Sequence, residues 1–180
     1  ILMPFICLLV SGGHSMIVDV RAKGDYEIIG QSQDDAVGEA FDKVGKLLGV
    51  PYPGGPHIEK LALNGNPKAY DFPRPMIHSD NLDMSLSGLK TAVLYTVQKI
   101  EEINNHIKAD IAASFQKAVT DVLIAKIKKT INQTSRSDVI IAGGVAANKY
   151  IRKEFKELEN TLNIRVYYPD LKYCGDNAAM

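Results

Sequence analysis

The chain has 180 residues, 46% hydrophobic and 23% charged, and balances 21 basic side chains against 21 acidic ones. That length suits one large domain or two small ones with a buried core, and the zero net charge excludes a global positive field for nucleic acid, leaving such binding to a local patch or another subunit. The apolar opening, Ile1 to Val10, contains Pro4, is too short to cross a bilayer and follows no basic region, while Cys7 and Cys174 make neither a disulfide framework nor a zinc knuckle, so a soluble, cytoplasmic chain with reduced thiols and no membrane partner is expected.

Ile1 stands inside a strand-like run, and Asp176 to Met180 reads as a cap opening a helix, so a fragment of a longer protein is expected. Phe5 to Val10 is long enough for a strand. Ser11, Gly12 and Gly13 break it before Met16-Ile17-Val18 resumes, and Met16 to Val20 and Tyr26 to Gly30 complete a predicted meander of three antiparallel strands. The turn at Ser11 to Gly13 reads either as an ordinary hairpin or as a backbone cradle for a phosphate or acyl-adenylate, since glycines allow close approach and a serine adds a donor.

Gln31 to Asp35 is polar and ends in possible N-caps. From Ala36 to Leu48, apolar residues at 37, 40, 41, 44, 47 and 48 predict a helix with one buried face. Gly38, Asp42 and Gly45 form a second stripe at i, i+4 and i+7. Two helix-weakening glycines around a carboxylate read either as a close approach, by another backbone or a ligand, or as an ordinary surface aspartate. Pro51-Tyr52-Pro53-Gly54-Gly55-Pro56 predicts a rigid turn into a short helix with Glu59 one turn inside, which sets a second glycine pair beside a carboxylate. Asn64 to Asp83 has no sustained period and reads as a long irregular loop.

Leu86, Leu89, Val93, Val97 and Ile100 make one helical stripe, and Ala112, Phe115, Val119, Val122, Ile127 and Ile131 another. Ser85, Ser87, Gly88 and Lys90 gather at the start of the first, either to cap it or to hold an anion. Asp138 to Ala142 predicts a buried strand. Gly143-Gly144 then leads to a helix carrying Ile151, Phe155 and Leu158, with Asn148 in its first turn, where an amide reads a nucleobase edge or caps. Strand, glycine pair and helix is a nucleotide-site pattern, although neither a Walker loop nor a dinucleotide fingerprint is present. Ile164 to Tyr168 adds a final strand. His14, His57, His78 and His106 include no pair at i, i+3 or i, i+4, so the chain supplies no His-x-x-x-His ligand set of its own.

Six motifs in order, Leu9-Val-Ser-Gly-Gly-His14, Gly38-Glu-Ala-Phe-Asp-Lys43, Tyr52-Pro-Gly-Gly-Pro56, Ser85-Leu-Ser-Gly-Leu-Lys90, Gly143-Gly-Val-Ala-Ala-Asn148 and Cys174 to Met180, resemble the tRNA threonylcarbamoyladenosine transferase family, long mislabelled as a glycoprotease. The resemblance spans the chain. It implies an α/β, actin-like ATPase fold (sugar kinase, Hsp70 and actin; ribonuclease H-like). Residues 1–180 would be the C-terminal nucleotide- and substrate-binding lobe, with a mixed sheet flanked by helices, and the first lobe and the end of the last helix would be absent. The implied activity is transfer of threonylcarbamoyl from threonylcarbamoyl-adenylate to the adenosine next to the anticodon in tRNAs reading codons that begin with A.

Residue by residue, Leu9, Val10, Ser11, Gly12 and Gly13 match the family's substrate and phosphate loop. Asp42 and Glu59 match positions addressing the ribose hydroxyls, with Gly55 beside them, and Asn148 matches the adenine-side asparagine. Asp176 matches the carboxylate that completes a divalent metal site, iron or zinc, with two histidines of the absent lobe. The cleft is implied to take ATP, ADP or threonylcarbamoyl-adenylate, and the implied partners are tRNA, a paralogous inactive subunit and a small ATPase. Two other readings remain at this stage. One is a catalytically silent scaffold of the same complex. The other is a metal-dependent glycoprotease, for which the sequence shows neither a Glu-bearing zinc helix nor a nucleophile triad.

Overall fold

The computed structural model describes residues 2–170 and Cys174. β1 (Phe5–Val10), β2 (Ser15–Ala22) and β3 (Asp25–Gln31) form the antiparallel meander that their apolar runs predict. Gly24 takes φ +79° in the β2–β3 turn, a left-handed conformation that favours a residue without Cβ. The helices α1 (Val37–Leu47), α2 (Gly54–Ala62), α3 (Ser87–Gln98) and α4 (Asn105–Thr134) follow. After them come β4 (Asp138–Ala142), a 3-10 turn at Gly144–Ala147, α5 (Lys149–Leu162) and β5 (Arg165–Tyr167).

The five strands lie in the order β3-β2-β1-β4-β5. β4 runs parallel to β1, and β5 parallel to β4, so β2 alone opposes the rest and the sheet is mixed, as expected. Ile6, Leu8, Val10, Ile17, Val139 and Ile141 are fully buried on one face, in a single cluster with Phe41 of α1, Phe115 and Val119 of α4 and Phe155 of α5. The Phe41 and Phe115 rings meet edge to face at 5.1 Å, which joins α1 to α4.

The predicted stripe from Ala112 to Ile131 underestimates α4, a helix of 30 residues. Its start lies outside the stripe because it is set by a polar cap: the Asn104 carboxamide oxygen accepts the Ile107 N–H at 2.9 Å. Its middle is buried on nearly every side, from Ile111 through Gln116, so no single apolar stripe describes it. Buried Thr120 and Thr130 return their hydroxyls to the carbonyls of Gln116 (2.7 Å) and Lys126 (2.8 Å), four residues back.

The irregular segment 64–83 is laid along α4 as a strap. Asp110 accepts the Asn66 N–H (2.7 Å), the Ser114 hydroxyl takes the Tyr70 N–H (3.2 Å), and Arg74 donates to Asp121 (2.9 Å). Further along, Lys126 donates to the Ser79 hydroxyl (2.7 Å) and the Asn81 carbonyl (3.0 Å), and Lys129 to the Ser79 carbonyl (2.8 Å). Lys126 is 1% exposed. Burial, with Lys129 close by, draws its ammonium below the ordinary lysine range, although Asp83 opposes this.

Lys126→Met should leave the sheet and α4 in place and release the strap, because Ser79 and Asn81 lose a charged donor, at a cost of about 1–3 kcal/mol. Limited proteolysis should then cut preferentially between residues 76 and 83. A cleavage pattern and stability equal to those of the parent would remove Lys126 as the anchor.

Candidate functional site

β1 and β4 are parallel neighbours, and their carboxyl ends coincide where Leu9 pairs with Ala142. The loops that leave them must therefore lie side by side, the usual place for a ligand in such sheets. Gly143 makes the contact close: it has φ +97°, and a Cβ there would run into the Val10 carbonyl. The two glycine pairs at 12–13 and 143–144, far apart in sequence, thus belong to one region.

The segment from Ser11 to His14 is a hairpin loop tied by its own serine. The Ser11 hydroxyl accepts the N–H groups of Gly13 (3.3 Å) and His14 (3.0 Å), and the Ser11 N–H donates to the His14 carbonyl at 2.8 Å. The serine organises the loop, while Gly12 and Gly13 face open space, with nothing within 4 Å of where a Cβ would stand. Beside them a polar cavity of about 90 Å³ is lined by His14, Gln31, Ser32 and Asp34 among others.

The glycine stripe on α1 admits backbone. Gly38 donates its N–H to the Ser11 carbonyl (3.0 Å), and a Cβ there would stand 2.8 Å from Gly12 Cα. A Cβ on Gly45 would stand 2.9 Å from Gly54 Cα. Between them, Asp42 Oδ1 accepts the Gly54 N–H at 2.7 Å and so caps α2. The carboxylate beside the second glycine pair is therefore Asp42. Glu59 turns the other way, its Oε1 accepting the Lys149 N–H at 2.7 Å to cap α5.

Asn148 is the N-cap of α5 instead of a residue of its first turn, because the 3-10 turn Gly144–Ala147 intervenes. Its carboxamide oxygen accepts the Ile151 N–H (3.0 Å) and its Nδ2 donates to Gln116 Oε1 (2.8 Å), with 7% of the residue exposed. Gln116 went unrecognised in the sequence, although a glutamine inside an apolar helical stripe signals a buried polar partner. Gly55 faces open space. Leu9 and Val10 are half-buried and buried at the end of β1.

The serine-rich start of α3 does hold an anion, one supplied by the chain. Asp34 accepts the Leu86 N–H (2.8 Å), the Ser87 N–H (3.2 Å) and the hydroxyls of Ser85 (2.5 Å) and Ser87 (2.8 Å). Lys90 and Lys43 face the neighbouring Asp35 instead, at 3.5 and 2.7 Å. Asp34 and Asp35 are thus not the caps of α1. The first free N–H of that helix, on Val37, goes to the buried Ser15 hydroxyl at 2.8 Å. Burial alone would raise the Asp34 carboxyl, but the four hydrogen bonds outweigh it and hold the group below the usual carboxylate range.

Among the described residues, no three His, Cys, Asp or Glu side chains come together as a metal site. Asp176 lies outside the described residues. Cys174 is buried, within 3.8 Å of an Arg152 guanidinium nitrogen, and its carbonyl lies 3.4 Å from where a Gly144 Cβ would stand.

A family model described as TsaD, tRNA N6-adenosine threonylcarbamoyltransferase, matches residues 2–180. A Thermosipho africanus protein named tRNA N6-adenosine threonylcarbamoyltransferase is 51% identical over 177 residues, which cover 98% of this chain and 53% of that protein. A Neisseria meningitidis protein of the same name is 49% identical over 195 residues, covering 98% and 55%. The chain spans about half the length of these curated relatives. The crystal structure of T. kodakarensis HypF superposes with a TM-score of 0.60 at 20% identity, over 87% of this chain and 20% of that one, a likeness of fold alone.

Asp34→Ala should cost about 2 kcal/mol at pH 7, the loss of a remote N-cap with charge-assisted bonds. The folded pKa lies below the unfolded value of about 3.9, so this contribution is complete above about pH 4 and is lost as the pH falls through the folded value. Denaturant titrations at pH 7 and pH 3 check it. The gap between parent and variant should narrow in acid, and a gap independent of pH would refute the ionic cap.

Proposed function

The chain belongs to the tRNA N6-adenosine threonylcarbamoyltransferase family, and we propose that it forms the nucleotide- and substrate-binding lobe of a two-lobed tRNA-modifying enzyme. The observation that carries this reading is the convergence of the family's glycine motifs at the carboxyl ends of β1 and β4, where Gly143 rests on Val10. The strand order, with β2 alone reversed, is consistent with an actin-like, ribonuclease H-like lobe.

In the proposed reaction, the N6 amine of a tRNA adenosine attacks the carbamoyl carbon of threonylcarbamoyl-adenylate. A C–N bond forms, the bond to the phosphate oxygen breaks, AMP leaves with the electron pair, and the amine gives up a proton. Leu9 to Gly13 supply the wall for phosphate and acyl group, with Gly12 and Gly13 presenting bare backbone to it. Asp42 and Glu59 each use one oxygen to cap a helix; Asp42 Oδ2 and Glu59 Oε2 have no partner among the described residues and are assigned to the ribose hydroxyls, beside Gly55. Asn148, held by Gln116, is assigned to the adenine side.

Asp176 is assigned as a ligand of a divalent ion, iron or zinc, with the remaining ligands from outside this stretch, on the family resemblance of Cys174 to Met180. Such an ion would polarise carbamoyl and phosphate oxygens. No helix among the described residues is long and apolar enough to cross a membrane, and we assign the enzyme to the cytoplasm, with tRNA, a paralogous inactive subunit and a small ATPase as partners. The 180 residues by themselves are expected to show no turnover.

The test uses the full-length protein, with acyl-adenylate and tRNA as substrates and modified nucleoside read by mass spectrometry. Gly12→Val should cut product formation at least tenfold while leaving stability within about 0.5 kcal/mol, since nothing lies within 4 Å of that Cβ. A parent enzyme that forms no threonylcarbamoyl-adenosine would overturn the assignment.

A further inference from the structure

Tyr52 is 84% exposed, an unusual position for a large ring in a segment this constrained. It stands between Pro51 and Pro53, whose rings fix their own φ, and as the residue before a proline it is itself restricted to extended conformations. Little conformational freedom is therefore lost when something stacks on it. It lies just before Pro53, the N-cap of α2, and three residues before the open Gly55. Farther along α2, Lys60 is exposed, and Glu59 joins this helix to the start of α5, where Lys149 and Lys153 are exposed. None of these three ammonium groups has an ion-pair or hydrogen-bond partner among the described residues.

We infer that the α2–α5 surface is a docking face for single-stranded RNA, with Tyr52 stacking on an unpaired base and Lys60, Lys149 and Lys153 meeting phosphates. In a chain of zero net charge, nucleic-acid binding has to be local, and three unpaired cations on joined helices with a rigid exposed ring at one end supply the two elements such binding uses. This inference rests on the proposed tRNA-modifying reading and names the surface of this lobe that the RNA touches.

The experiment measures equilibrium tRNA binding against salt, together with KM for acyl-adenylate, in the full-length enzyme. Replacing Lys60, Lys149 and Lys153 together by Glu should weaken tRNA binding at least tenfold and reduce the slope of log K against log salt by about 2, with KM for acyl-adenylate within twofold of the parent. Tyr52→Ala should weaken tRNA binding about tenfold, and Tyr52→Phe, which keeps the ring, should leave it within twofold. Unchanged tRNA affinity and slope in the triple variant would overturn the inference. So would an effect of Tyr52→Ala on acyl-adenylate KM alone, which would assign the stacked base to the nucleotide, or loss of a protein partner with tRNA binding intact. If the reading itself is wrong, the parent enzyme neither binds nor modifies tRNA, a result obtained before any variant is made.

Discussion

The arrangement depends on helix amino ends that are satisfied by side chains from elsewhere in the chain. Ser15 of β2 takes the first N–H of α1, Asp42 of α1 takes that of α2, Glu59 of α2 takes that of α5, and Asp34 takes that of α3 together with the N–H of Leu86 just before it. A helix leaves four N–H groups without internal partners, and burying them unmet is costly. Here the donors are met from other elements, adjacent or distant in the chain, so α1 is fixed to β2, α2 to α1 and α5 to α2. Asp42 and Glu59, which the family resemblance assigns to ligand binding, make two of these joints, and Asn148 adds one from α5 to Gln116 of α4.

Close backbone approach is the second constraint, and it follows from the first. A cap of 2.7 Å between α1 and α2 requires the helices to touch there, which Gly45 and Gly54 allow by lacking side chains. Gly38 allows the same between α1 and the Ser11–His14 loop, and Gly143 between that loop and the end of β4. Two kinds of glycine can therefore be told apart here. Gly38, Gly45, Gly54 and Gly143 are filled by neighbouring main chain, whereas Gly12, Gly13 and Gly55 are open and are the ones a ligand can reach.

Much of this was legible in the sequence because it is periodic. Alternation and apolar runs located the strands, and the stripe from Val37 to Leu48 located α1. What remained hidden is mostly pairing between distant residues. Asp34 read as a local cap, and nothing in the order of residues says that it would turn to Ser85 and Ser87, 51 and 53 residues on. α4 was foreshortened because its polar-capped start and a middle buried on nearly every side show no single stripe, and Lys126 was invisible because lysine is ordinarily a surface residue. The stripe of Gly38, Asp42 and Gly45 announced a close approach without saying to what, since glycine periodicity is blind to whether backbone or ligand fills the groove.

The strap along α4 bears on how the chain reaches this state. Its tethers join residues separated by nearly constant intervals, from 44 residues at Asn66–Asp110 to 50 at Ser79–Lys129. Closing the first incurs the entropy of a long loop, but each later one adds only the few residues since the last, so the strap zips along the helix from one end. However many tethers follow, the slow event is the same single closure. The segment with the least regular structure is thus assembled progressively, running in the same direction as the helix it is tied to.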